Sequence, residues 1–157
     1  GAKFRVNPSD IRVVGSGRHG ISAKPGKNLK TFIDTSDIDV VVISAALFDN
    51  LWQKLLEAAY PREGNLHLLA GHLRELQSEV YTGFLTPAEF RFDRLKFGEH
   101  AAPVYEFRAD WFSALKRASN LPIRRHENME ARVYRTWAHA ERYHLDSIAS
   151  LQRSLNK

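Results

Sequence analysis

Two aspartates, Asp37 and Asp39, stand at i and i+2 at the head of a β-branched run, Val40-Val41-Val42-Ile43. On a strand, alternate side chains share one face of the sheet, which sets these two carboxylates side by side at the edge of an apolar element. Like charges that close repel, and a divalent cation between them removes the repulsion. Hard oxygen donors select Mg²⁺ or Mn²⁺, ions that keep several waters and take substrate phosphates as further ligands. In phosphoryl transfer such an ion neutralises phosphate charge and activates the attacking oxygen. The ordinary alternative for Asp-x-Asp alone is a pair of surface acids at a strand start. What argues against it is the context: a strongly apolar strand downstream and a glycine turn upstream. That turn is Gly15-Ser16-Gly17, reached from the short β-rich run Ile11–Val14. Bare backbone N–H groups at a glycine turn form an anion nest, so Gly15 and Ser16 are candidate phosphate contacts.

The elements that position these residues follow from hydrophobic periodicity. Asp37 to Ile43 reads as a strand covered on both faces, since nearly every position after the first acid is apolar. Ser44 is the expected N-cap of a helix carrying Leu47, Leu51, Leu55 and Ala58 and stopping at Pro61. Leu66, Leu69, Leu73, Leu76 and Val80 predict a second amphipathic helix that ends near Gly83. Thr31-Phe32-Ile33 reads as a short extended piece after a polar loop, Arg18 to Lys30. Val104-Tyr-Glu-Phe-Arg108 is expected to be a strand, with Asp110 capping a helix through Trp111, Leu115 and Ala118. Met129 to Arg135 looks extended. A long C-terminal helix from about Thr136 carries Trp137, Ala140, His144, Ile148, Leu151 and Leu155 as one stripe. The predicted architecture is one α/β (α+β) domain over residues 1–157: a small mixed sheet flanked by helices, with a long C-terminal helix.

Val14-Gly15-Ser16, a basic loop, and then Ser36-Asp37-Ile38-Asp39-Val40-Val41 together resemble the signature of the DNA polymerase β-like nucleotidyltransferase superfamily, in its minimal stand-alone form. The resemblance covers residues 11–43, about a fifth of the chain. It implies a nucleotidyltransferase-like fold and transfer of an NMP from an NTP to a protein, RNA or nucleotide acceptor. It also implies that Asp37 and Asp39 hold Mg²⁺ or Mn²⁺, and that Gly15 and Ser16 position the triphosphate. Small proteins of this kind often belong to bacterial toxin–antitoxin or defence systems. Two departures stand out. The stretch between Ser16 and Asp37 is longer than the superfamily's usual spacing. A third carboxylate, which the superfamily places on a later strand, has three candidates in order of preference: Glu106, Glu130 and Asp93. These departures supply an alternative: a catalytically degenerate fold acting as a protein-binding antitoxin or effector subunit. A weaker third reading is a basic RNA-binding domain that uses the site only to hold a phosphate.

Bulk composition narrows the classes. The 157 residues contain no cysteine, which rules out disulfides and thiolate metal sites and suits a reducing, cytoplasmic compartment. The longest apolar stretch, Ile38 to Leu47, contains Asp39 and Ser44 and falls far short of the roughly 20 residues of a membrane span. There is no recognisable secretory signal at the N-terminus. A net charge of +5, from 23 Lys/Arg and 18 Asp/Glu, suits a phosphate-bearing ligand without establishing nucleic-acid binding.

Other residues read as structural. His67 and His72, like His139 and His144, lie five positions apart, off the i, i+4 spacing of a zinc pair. His144 falls on the apolar stripe and reads as a satisfied core histidine. His19 and Arg18 read as solvated loop residues. Trp52, Trp111 and Trp137 read as core anchors rather than base platforms. Tyr134 and Tyr143 are both able to stack on a nucleobase, and nothing in the sequence selects either.

Overall fold

The computed structural model describes residues 2–22, 30–33, 36–59, 76–90, 99–120 and 129–155. Four strands form one mixed sheet among the described residues: β1 (Ile11–Val14), β2 (Ile38–Ile43), β3 (Phe84–Leu85) and β4 (Met129–Tyr134). Their order is β1-β2-β4-β3. β1 runs antiparallel to β2, β2 parallel to β4, and β3 antiparallel to β4. Joining two parallel strands requires a crossover. This one carries helices α2 (Ala45–Ala59) and α3 (Ala102–Ser119), α1 being the single turn Ser16–His19. A long helix, α4 (Trp137–Leu155), follows β4. The expected mixed sheet flanked by helices, with a long helix near the C-terminus, is what the chain forms.

β2 lies at the centre because its β-branched residues pack on both sides. Val40 and Val42, with Ala131 and Val133 of β4, face α2 and α3 through Phe48, Leu51, Leu55, Val104, Phe107 and Trp111. Val41 and Ile43, with Tyr134, face the other way and pack against Ala140 of α4. Ser44 caps α2 as expected, its Oγ accepting the Leu47 N–H at 3.1 Å. Thr136 does the same for α4, its Oγ1 accepting the His139 N–H at 3.4 Å. No helix of the described residues is long and apolar enough to cross a membrane.

Three local expectations need correction. Residues 104–108 are helix, not strand: they lie inside α3, where Val104, Phe107 and Trp111 are buried at helical spacing and Pro103 sits in the first turn. Val-Tyr-Glu-Phe has the alternation of a strand, yet the burial recurs every three to four residues. Asp110 therefore lies in mid-helix, not at a cap, and pairs with Lys3 at 2.6 Å. The polar loop opens as a helical turn, α1. Its far side carries a single antiparallel bridge between Ile21 and Thr31, the first residue of the short extended piece expected at 31–33. Of the helix expected over Leu66 to Val80, residues 76–81 are described and helical. The remainder, and Asp93, lie outside the described residues.

Candidate functional site

The site is built on the face of the sheet that α4 covers. Ile38 points into the opposite core and is 6% exposed, so Asp37 and Asp39 on either side of it point toward α4. Asp39 is half-buried within β2, while Asp37 is exposed just before it. The register places Val14 opposite Asp39, which brings the end of β1 and its glycine turn onto the second aspartate. Gly15 has φ +62°, a backbone region that side-chain-bearing residues rarely adopt. A Cβ built there would stand 2.9 Å from Asp39 Oδ2. Gly15 is thus required twice, for its conformation and for the space that the carboxylate occupies. Its carbonyl accepts the Arg18 and His19 N–H groups at 3.1 and 3.2 Å, folding Ser16–His19 into the turn of α1.

Across the sheet, Asp39 stands in register with Glu130 of β4. Side chains of residues in register on neighbouring strands share a face, so Glu130 is the carboxylate that the topology brings beside the aspartates. Glu106, preferred from sequence, does not join them. It is an exposed residue of α3, on the opposite side of the sheet, in a separate cavity with Lys3 and Lys54.

Arg132, two residues beyond Glu130, points to the same face. Burial weakens its charge, but Tyr143, Tyr134, Asp39 and Glu130 outweigh that effect and hold its pKa above the ordinary arginine value. Its guanidinium lies 5.3 Å from the Tyr143 ring centroid. Burial raises Tyr134's pKa well above that of a free phenol, with Arg132 opposing. His144 is not the hydrogen-bonded core histidine that the stripe predicts. Its Nε2 is buried without a hydrogen-bond partner among the described residues. Burial and then Arg132 lower its pKa, against Asp39, so the ring is neutral near pH 7.

These groups surround one cleft of about 880 Å³, lined by Gly15, Ser16, Arg18, His19, Asp37, Asp39, Glu130, Arg132 and residues of α4. Its volume lies within the roughly 300–1,000 Å³ of small-molecule sites. Arg18 and His19 therefore border the cleft rather than merely a solvated loop. Trp137 does so as well and is 40% exposed, so it is not a core anchor, whereas Trp111 at 4% is one. Arg132 and Trp137 are the residues whose place in the site sequence reasoning missed. The available signal was β4 itself, whose even positions 130, 132 and 134 must share a face once its extended character is recognised.

The donor chemistry sets what the site can hold. Two aspartates on one face can bind a Mg²⁺-type ion that completes its shell with water and phosphate oxygens. Among the described residues, no group of three or more His, Cys, Asp or Glu side chains is arranged to hold an ion by itself. A scan against protein-family models finds no match to this chain, and comparisons with curated proteins and with solved structures find none either.

Proposed function

We propose that this protein is a small metal-dependent nucleotidyltransferase of the DNA polymerase β-like type, moving an NMP from an NTP to an acceptor hydroxyl. The observation that carries this reading is the seating of Gly15 against Asp39. Gly15 packs so closely against Asp39 that a side chain there would meet its carboxylate, which supports reading the glycine turn as a phosphate contact beside the aspartates. In this reading the Gly15-Ser16 turn holds the triphosphate through its N–H groups, and Asp37 and Asp39 hold the ion. Bound there, Mg²⁺ or Mn²⁺ supplies neutralisation of phosphate charge and activation of the attacking oxygen. The acceptor hydroxyl gives up its proton to a site carboxylate or water, its oxygen bonds to the α-phosphorus, and the bond from that phosphorus to the α–β bridging oxygen breaks, so that pyrophosphate leaves. Glu130, in register with Asp39, is the best-placed candidate for a third carboxylate, although the three acids are not grouped to hold an ion by themselves. Arg18, at the cleft wall, offsets charge on the outer phosphates, and His19 beside it can hydrogen-bond to them. The acceptor is a protein, an RNA or a nucleotide.

One observation favours a second reading, a degenerate nucleotidyltransferase fold serving as a protein-binding subunit. Arg132 already sets a cation near Asp39 and Glu130, which relieves part of the repulsion that an ion would otherwise relieve. The two readings separate in a labelling experiment with α-labelled NTPs, Mg²⁺ or Mn²⁺, and protein or RNA acceptors. The enzyme transfers label; Asp37→Ala with Asp39→Ala abolishes transfer. Glu130→Gln lowers transfer while nucleotide stays bound, and Glu106→Gln leaves it unchanged. A protein that binds no nucleotide with either metal ends the enzymatic reading and leaves the binding role.

A further inference from the structure

We propose that Trp137 is the platform on which the substrate's nucleobase stacks, an inference that rests on the cleft being a nucleotide site. A base platform needs an open aromatic face inside the cleft, and the structure discriminates among the aromatic residues near it. Tyr134 is fully buried. Tyr143 also lines the cleft but is half-buried and already crowded: Phe84 stands 5.0 Å away, His144 5.4 Å and Tyr134 6.1 Å between ring centroids, with the Arg132 guanidinium at 5.3 Å. Trp137 lines the same cleft, is 40% exposed, and has the Arg12 guanidinium 5.6 Å from its ring centroid.

Its position also suits a base. Arg12, which reaches over Trp137, pairs in register with Val41, and Val41 lies two residues along β2 from Asp39. At the rise of a strand, that is about 7 Å from the carboxylate end of the cleft. Val14, opposite Asp39, and Val41, opposite Arg12, both line the cleft. Phosphates held at Gly15 and Asp39 thus leave an apolar stretch for the ribose and a flat ring beyond it. Arg12 steadies that ring from β1 through its cation–π contact. Stacking accepts every base, because each has a π-face. This platform therefore predicts nucleotide affinity with weak base preference.

The test compares Mg²⁺-ATP with Mg²⁺-tripolyphosphate, which carries the phosphates without a base. Calorimetry is run on the full chain and on its Trp137→Ala and Trp137→Phe variants, with tryptophan fluorescence as the second readout. Expected are an ATP-specific quench that Trp137→Phe abolishes, and retained ATP affinity in that variant. Trp137→Ala should lose roughly 5- to 150-fold in ATP affinity, with tripolyphosphate affinity unchanged. Equal wild-type affinity for the two ligands, or a quench that survives in Trp137→Phe, overturns the platform and leaves the nucleotide site standing. Failure of the wild-type chain to bind either ligand overturns both.

Discussion

At Gly15 a single residue decides whether the turn and the carboxylate can coexist. An alanine there must hold φ near +62° and place its methyl 2.9 Å from Asp39 Oδ2. With ψ at −146° this backbone region is open essentially to glycine alone and costs a side-chain-bearing residue about 1–3 kcal/mol, and the clash must be relieved by moving either the turn or Asp39. Gly15→Ala is therefore expected to lower stability by about that amount in urea denaturation. It should also weaken NTP binding more than any loss of folded protein explains. Preserved affinity in the folded variant would separate the turn from the ligand. Asp39 itself, and Glu130 beside it, show how narrow the residue-level signal is. The first belongs to a motif readable at sight, whereas the second is one exposed acid among many until β2 and β4 are paired.

The elements hold these residues through caps, turns and one half-buried acid. Glu79, on the helical stretch 76–81, accepts the Thr86 N–H at 2.9 Å and so ties that stretch to the strand β3. Burial raises its pKa above the ordinary value, opposed by the Thr86 hydrogen bonds and Arg132. A carboxyl raised in this way favours the folded state in its protonated form. Its contribution is complete below the ordinary value of 4.5 and is lost as pH rises through the raised folded value. Glu79→Gln keeps an acceptor for Thr86 and removes the charge. The variant should melt higher than wild type at pH 7 and level with it near pH 4, in thermal unfolding followed by circular dichroism. Equal shifts at both pH values would assign the effect to packing. Gly83, at the turn before β3, has φ +79° and lies directly against the His139 ring, so the junction of β3 with α4 also admits only glycine. The strand expected at 104–108 failed for a related reason. Local alternation does not reveal which positions a neighbouring element will cover, and α2 covers every third or fourth.

For the whole molecule, the two faces of the sheet have separate tasks. The α2–α3 face is filled by the larger apolar cluster, which leaves the α4 face free to stay partly open as the cleft. Its wall offers two aspartates and Glu130 without a self-sufficient ligand set among the described residues. Metal uptake is therefore expected to be linked to nucleotide. Calorimetry with Mn²⁺ alone should show no specific heat, and Mn²⁺ with a non-hydrolysable NTP should show saturable binding that Asp37→Ala plus Asp39→Ala removes. Saturable Mn²⁺ binding without nucleotide would mean that the carboxylates form a metal centre on their own.

What the sequence determined was local. The run from Asp37 to Ile43 specified a central strand, because β-branched residues on both faces admit little else. The turn Gly15-Ser16, the cap Ser44 and the helical stripe after Thr136 were equally legible, since each depends on neighbours within one or two turns of chain. Tertiary structure decided the rest. The pairing of β2 with β4 chose Glu130 over Glu106, set Arg132 beside the carboxylates and turned Trp137 from an expected core anchor into a wall of the cleft. Those placements join residues more than ninety positions apart. Such contacts are fixed by strand register and by which face each helix covers, quantities that no short window of sequence contains.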